Sequence, residues 1–441
     1  MAASKTSSNP LAQFGKMTEL RQRLLFVIGA LVVYRLGSFI PVPGVNPEAM
    51  TRMIEQGGGL LNMFNMFSGG ALARYSVFAL GVMPYISASI VVQMMGSVLP
   101  SWQQLKKEGQ AGQRMMTKYT RWGTVGLSAV QAFMIAAGMQ KMSGGLQVVY
   151  DPGFGFIFAS VIGLTAGSMF LMWLGEQMTE RGIGNGISLI IFAGIVAGLP
   201  QALTQTTTML STGQLTMIKG LVVVVVVALV TAFCVFMESA QRRITVNYAR
   251  RQGGAKAYMN QSSHLPLKIN MSGVIPPIFA STLILFPATA SSWFSNASQI
   301  HWLQRLTTAL SPGEPPYMIL YAGMIIIFAF FYTAIVFNSQ DTADNLKRSG
   351  ALIPGMRPGK ATAQYIDSVL TRLTAAGAIY LAAVCLIPTF MQTEWNVPFY
   401  FGGTSLLIVV VVAMDFRAQI SAHMVSHQYE SLLKKANLKR S

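Results

Sequence analysis

Residues 221–230 read Leu-Val-Val-Val-Val-Val-Val-Ala-Leu-Val, ten apolar positions with no polar break. A strand in a membrane barrel alternates between lipid and lumen, and this run does not alternate, so it is a helix buried in apolar surroundings. About 20 mostly apolar residues are needed to cross a bilayer as a helix. Ten stretches qualify: 24–40, 76–99, 122–139, 154–174 and 183–199 in the first half, and 217–237, 272–294, 317–337, 370–390 and 398–414 in the second. Only 11% of the 441 residues are charged and 52% are apolar, with a mean hydropathy of +0.48. That leaves too little polar surface for a water-soluble particle, and it excludes a soluble enzyme, a disordered chain or a secreted disulfide scaffold. The two cysteines, Cys234 and Cys385, lie inside apolar runs and read as small apolar filler.

The net charge of +17 is distributed unevenly. With the segment before the first span taken as inside, twenty-six of the 32 Lys and Arg residues fall on inside segments and five outside, and Arg35 lies within the first span. The positive-inside rule then places both termini in the cytoplasm. Arg21 and Arg23 before Leu24 resemble the start of a signal peptide. Ser38-Phe39-Ile40-Pro41 offers no cleavage pattern, however, and nine more spans follow, so the first helix is retained.

Five spans per half is an odd number, which starts the second half on the opposite face and permits an inverted repeat. The expected organisation is residues 1–199 as one half, 200–216 as a hinge connection and 217–441 as the other half. The stretch 60–99 is too long for one span and is interrupted by Ser68-Gly69-Gly70 and Arg74. It splits into a short helix over 60–73, either re-entrant and filling a cavity or lying in the outer interface, and a span over 76–99. Short apolar helices at membrane depth are tolerated where they pack on protein or line a cavity. Pro84, Pro276, Pro277 and Pro287 kink their spans.

No Asp, Glu, Lys, Arg or His occupies the middle of a span. Ion-coupled transporters and proton pumps carry such residues, so the pattern favours a passive conduit or a scaffold. A conduit can close by an apolar constriction that sheds water. Val82 with Ile86, and Ile187 with Ile191, stand four residues apart on one helix face. The inside loops 238–271 and 338–369 are longer than topology requires and rich in arginine beside turn formers, which suits an acidic partner or an RNA backbone. Hydrolase, zinc and P-loop motifs are missing, and His264, His301, His423 and His427 lie in loops and the tail without a metal-site arrangement. A secondary transporter and a structural scaffold are the competing readings.

Five strings carry a resemblance: Met63-Phe64-Asn65-Met66-Phe67-Ser68-Gly69-Gly70, Gly81-Val82-Met83-Pro84-Tyr85-Ile86-Ser87, Glu180-Arg181-Gly182-Ile183-Gly184-Asn185-Gly186, Pro354-Gly355-Met356-Arg357-Pro358-Gly359 and Phe399-Tyr400-Phe401-Gly402-Gly403-Thr404-Ser405. The sequence resembles the SecY family, the channel subunits of the bacterial Sec protein translocase, over nearly the whole chain and looks like a Gram-negative member. The resemblance implies an all-α membrane protein: ten transmembrane helices in two inverted five-helix halves, a clamshell, with a short plug helix at about 60–74. It implies a protein-conducting channel without cofactor or catalytic residue, in the bacterial inner membrane. By position, the pore ring falls on Val82, Ile86, Ile187, Ile191, Ile278 and Ile408, with Val82 where the family more often has isoleucine. The plug falls on Phe64, Asn65, Phe67, Ser68, Gly69, Gly70 and Arg74, and the lateral gate on Ser87 and Phe286. Arg242, Arg243, Arg250, Arg251 and Arg357 would dock the SecA motor ATPase and the ribosome with its RNA. The implied partners also include the small subunits SecE and SecG, signal-peptide-bearing precursors and membrane lipid.

Overall fold

The computed structural model describes residues 18–56, 65, 67–141, 148–213, 216–248, 262–294, 309, 314–395 and 403–438. Helices dominate. In chain order they are α1 (Thr18–Gly37), α2 (Pro47–Gln56), α3 (Met83–Val98), α4 (Pro100–Lys107), α5 (Gln110–Lys141), α6 (Phe154–Arg181), α7 (Gly186–Ser211), α8 (Met217–Ser239), α9 (Ile275–Phe294), α10 (Pro315–Val336), α11 (Ser339–Arg348), α12 (Lys360–Trp395) and α13 (Gly403–Leu438). Among the described residues, seven helices are long and apolar enough to cross a membrane. The shorter apolar helices at 83–98 and 275–284, with the arginine-bearing α1, bring the span positions to the expected ten. Along α8, Met217, Leu221, Val224, Leu229 and Phe236 are each more than three-fifths exposed. Such an apolar face suits lipid as its solvent.

Several helices outrun their expected spans. At 1.5 Å per residue, the 36 residues of α12 reach about 54 Å, well beyond a hydrocarbon core of about 30 Å. Hydropathy registers only the lipid-embedded part. The expected connection over 200–216 is mostly helix, because α7 continues through Pro200 to Ser211.

The chain packs as two compact units. The first comprises Met1–Ala88, Thr120–Pro200 and Val412–Ser441, and the second Ser89–Tyr119 and Gln201–Val411. In the first unit, α1 packs on α6. A buried cluster joins Val42, Met50, Leu72, Tyr75, Ala132, Phe156 and Leu164. A second cluster joins Leu20, Ile183, Phe416 and Ile420. The start of α7 is fixed locally: Gly184 takes a positive φ of 91°, the Ile187 amide donates to Asn185 Oδ1 at 3.1 Å, and the Gly186 amide donates to Thr179 Oγ1 at 2.9 Å. Asn185 and Thr179 thereby each accept one amide at a helix start that would otherwise lack acceptors.

The stretch 68–82 departs from expectation. The short helix expected over 60–73 is helical at Asn65 and Phe67 but gives way to turns at Ser68, and the span expected from Ser76 becomes helix only at Met83. Gly69, Gly70 and Gly81 hold positive φ angles of 67°, 82° and 57°, which glycine adopts without steric cost. Side chains take over the backbone's hydrogen bonding: Asn65 Oδ1 accepts from the Ala73 amide at 2.9 Å, and Ser68 Oγ accepts from the Leu72 amide at 3.2 Å. Asn and Ser compete with helix in this way.

In the second unit, α10 packs along α9 and α12, with Phe279 edge-on to Phe328 at 4.3 Å between centroids. The sequence reading gave no strands, yet the unit carries a three-stranded antiparallel sheet ordered β2-β1-β3. Strands β1 (Gln241–Tyr248) and β2 (Ser262–Lys268) run from Gln241 opposite Lys268 to Asn247 opposite Ser262. Strand β3 (Ala351–Leu352) pairs with the end of β1. Ile244, Val246 and Leu267 face a small core completed by Ala351, Ile353 and Ile366. Pro266 sits on the edge strand, where its missing amide hydrogen is tolerated.

Candidate functional site

Four of the six candidate ring positions lie in the first unit and two, Ile278 and Ile408, in the second. Val82, Ile191, Ile278 and Ile408 are buried, and Ile86 and Ile187 are half-buried. Val82 starts the first turn of α3, its carbonyl accepting from the Ile86 amide at 3.1 Å. The close crossing of α6 and α7 depends on glycine: Ile187 Cδ1 occupies the space a Cβ on Gly175 would take, and the Gly175 carbonyl does the same at Gly186.

The stretch 67–82 is seated within the first unit by backbone and side chain together. The Val42 amide donates to the Tyr75 carbonyl at 2.9 Å, and the Val77 amide to the Ile40 carbonyl at 3.0 Å. From α1, Tyr34 Oη donates to the Ser68 carbonyl at 3.2 Å, and Arg35 Nη1 donates to the Gly69 carbonyl at 2.9 Å. From α2, Thr51 Oγ1 donates to the Ala73 carbonyl at 3.2 Å. On α7, a Cβ added to Gly194 would lie 3.0 Å from Tyr34 Oη and 3.3 Å from the Phe67 carbonyl. Glycine is what admits the segment this closely. The expected plug residues Asn65, Phe67, Ser68, Gly69, Gly70 and Arg74 all belong to this seat or its flanks, whereas Phe64 lies outside the described residues. Sequence reasoning missed Tyr34, Thr51 and Gly194. Arg35 alone gave a signal, as a charge inside an apolar run.

Ser87 lies on α3, half-buried, with its Oγ unpartnered. Phe286 lies on α9, and its side chain is outside the described set. Between those helices, Ile90, Gln93 and Met94 of α3 line one apolar cleft with Ile275, Pro276 and Phe279 of α9, and Phe328 and Phe331 of α10 complete it.

Arg242 and Arg243 are exposed on β1, and Arg357 is exposed in the turn that follows β3. The sheet therefore joins the two long loops into one platform. Arg357's carbonyl accepts from Thr362 Oγ1 at 2.9 Å, fixing the turn to the start of α12. Arg250 and Arg251 lie outside the described residues. Among the described residues, no three His, Cys, Asp or Glu side chains gather as a metal site.

Comparison with known proteins gives this geometry its context. The SecY family pattern matches residues 76–417. Protein translocase subunit SecY of Escherichia coli strain K12 is 58% identical over 426 residues, 96% of each chain. The subunit of the same name from Vibrio cholerae is 58% identical over 432 residues, 97% of each chain. A solved structure described as a protein-conducting channel superposes with a TM-score of 0.68 at 17% identity, over 95% of this chain and 98% of its own. Sec61 in the canine ribosome-channel complex from the endoplasmic reticulum superposes at 0.65 with 16% identity, over the same shares. At such identities the solved structures establish the fold, and the two bacterial relatives establish kinship along almost the full length. The chain belongs to the SecY family.

Proposed function

We propose that the chain is the protein-conducting channel of a bacterial Sec translocase, passing unfolded secretory polypeptides across the inner membrane and releasing apolar segments sideways into lipid. The observation that carries this reading is the near full-length match to curated translocase subunits. The geometry adds a glycine-seated stretch, 67–82, next to aliphatic positions suited to a dry constriction.

In this reading Val82, Ile86, Ile187, Ile191, Ile278 and Ile408 form a greasy collar, and the chain is organised as the halves 1–199 and 217–441. An aliphatic collar excludes hydrated ions because a narrow apolar opening sheds its water. It offers a passing chain no fixed polar group to hold it. The segment bearing Asn65, Phe67, Ser68, Gly69, Gly70 and Arg74 is the plug, held at rest by contacts that a passing chain can displace. The cleft between α3 and α9 is the sideways exit, and release there follows hydrophobic transfer, roughly 25 cal/mol per Å² of apolar area. The platform bearing Arg242, Arg243 and Arg357 docks the SecA motor and the ribosome. SecE and SecG brace the open side, and both termini face the cytoplasm.

The test is reconstitution in proteoliposomes. With SecA and ATP, the chain and its accompanying subunits carry unfolded precursor into the lumen. Uptake of small solutes on an ion gradient, without precursor transport, would overturn the reading in favour of a secondary transporter.

A further inference from the structure

At the end of α1 remote from Arg21 and Arg23, two guanidiniums meet one aromatic ring. Arg35 Cζ lies 5.0 Å and Arg74 Cζ 4.1 Å from the centroid of Phe39. Like charges drawn to one ring repel each other, and Arg74's pKa is lowered by burial first and by Arg35 second. Among the described residues, neither arginine forms an ion pair. Arg35 has one carbonyl, that of Gly69. Arg74 Nη1 is buried and finds no acceptor among the described residues, although buried polar groups, charged ones above all, are as a rule satisfied. Around this pair the surface is apolar and outward-facing: Leu36, Phe39 and Ile40 are each half exposed or more. That is the setting of a lipid headgroup region, with acyl-chain contacts below and cations above.

We propose that Arg35 and Arg74 clamp the phosphate of an anionic phospholipid headgroup, with Phe39 as the floor of the site. A guanidinium offers parallel donors matched to phosphate oxygens. Both guanidiniums lie against one ring, and Arg35 is near enough to act on Arg74 electrostatically. The bound anion relieves their mutual repulsion. Because Arg35 also holds Gly69, the lipid steadies the seat of the 67–82 stretch. The site does not depend on the conduction reading, since the lipid is counted in resting protein.

The full chain, with the membrane subunits that purify beside it, is placed in phosphatidylcholine nanodiscs containing one quarter phosphatidylglycerol, and retained lipids are counted by native mass spectrometry. The wild type keeps one more phosphatidylglycerol than the Arg35→Gln/Arg74→Gln double variant. Each single Arg→Gln change weakens retention about tenfold, a charged hydrogen bond's worth. Arg74→Lys, which preserves charge and folding but not the fork, falls between. Equal phosphatidylglycerol counts in wild type and double variant overturn the site, as does equal retention of phosphatidylcholine. If inorganic phosphate in pure phosphatidylcholine discs gives the same Arg74-dependent thermal stabilisation, the ligand is a free anion and the lipid assignment falls.

Discussion

Gly194 controls how closely the 67–82 stretch approaches α7. Its missing Cβ leaves room for Tyr34 Oη and the Phe67 carbonyl, both part of the seat. Gly194→Val forces these groups outward at a cost of about 1–3 kcal/mol of overpacking. That strain falls on the seat rather than on the spans. The expected outcome is a folded protein with raised resting ion conductance, read in planar bilayers. Tyr34→Phe is a milder probe, since it removes only the donor to the Ser68 carbonyl, worth about 1 kcal/mol. It should raise conductance less than Gly194→Val. If both variants seal as tightly as wild type, the seat does not hold the barrier. None of this was legible at Gly194 itself, because glycine is common in membrane helices and its partner is a turn distant in sequence. Ser68, Gly69 and Gly70 did signal irregular backbone, but their pattern did not reveal that side chains would end the helix at Phe67.

The same limit operates on whole elements. Apolar runs located every span, because lipid imposes length and composition together. The runs missed the aqueous ends of α5, α12 and α13, where the helix continues under its own hydrogen bonding into water. The sheet was missed for a different reason. Arg243-Ile244-Thr245-Val246 alternates as a half-buried strand should, yet the core it faces is completed by Ile353 and Ile366 from the other long loop. No local window contains both sides of that core. Ile366 is fully buried there, so Ile366→Ala should destabilise the platform by about 2–5 kcal/mol. Ile366 lies near the start of α12, whose long helix is held separately along α10, so the spans should persist. The measurement pairs limited proteolysis between β1 and β2, expected to quicken, with resting ion conductance, expected to stay unchanged. Motor-driven precursor transport should fall, as it should in Arg357→Glu, where the charge at the docking turn is reversed without touching the core. Unchanged transport in both variants would mean that the motor engages some other surface.

For the whole molecule, the proposed collar makes the sharpest prediction, because its positions are divided between the two units. Ile191 belongs to the first and Ile408 to the second, and both are buried. A single greasy constriction makes their contributions interdependent, because wetting is a property of the opening and not of one side chain. Replacing either with asparagine offers water a hydrogen-bonding foothold. If one such change lowers the cost of wetting by about 1.4 kcal/mol, conductance rises about tenfold. Once one asparagine has wetted the opening, the second has little barrier left to remove. The double variant should therefore leak far less than the product of the two single effects. Side chains that merely pack within their own units would give independent effects, multiplying in conductance. A third outcome, no added leak in any of the three proteins, is what a scaffold without a conduit predicts. Parallel measurements on Leu221→Asn, an exposed site on α8, control for disturbance of the lipid boundary and should leave conductance at its resting value.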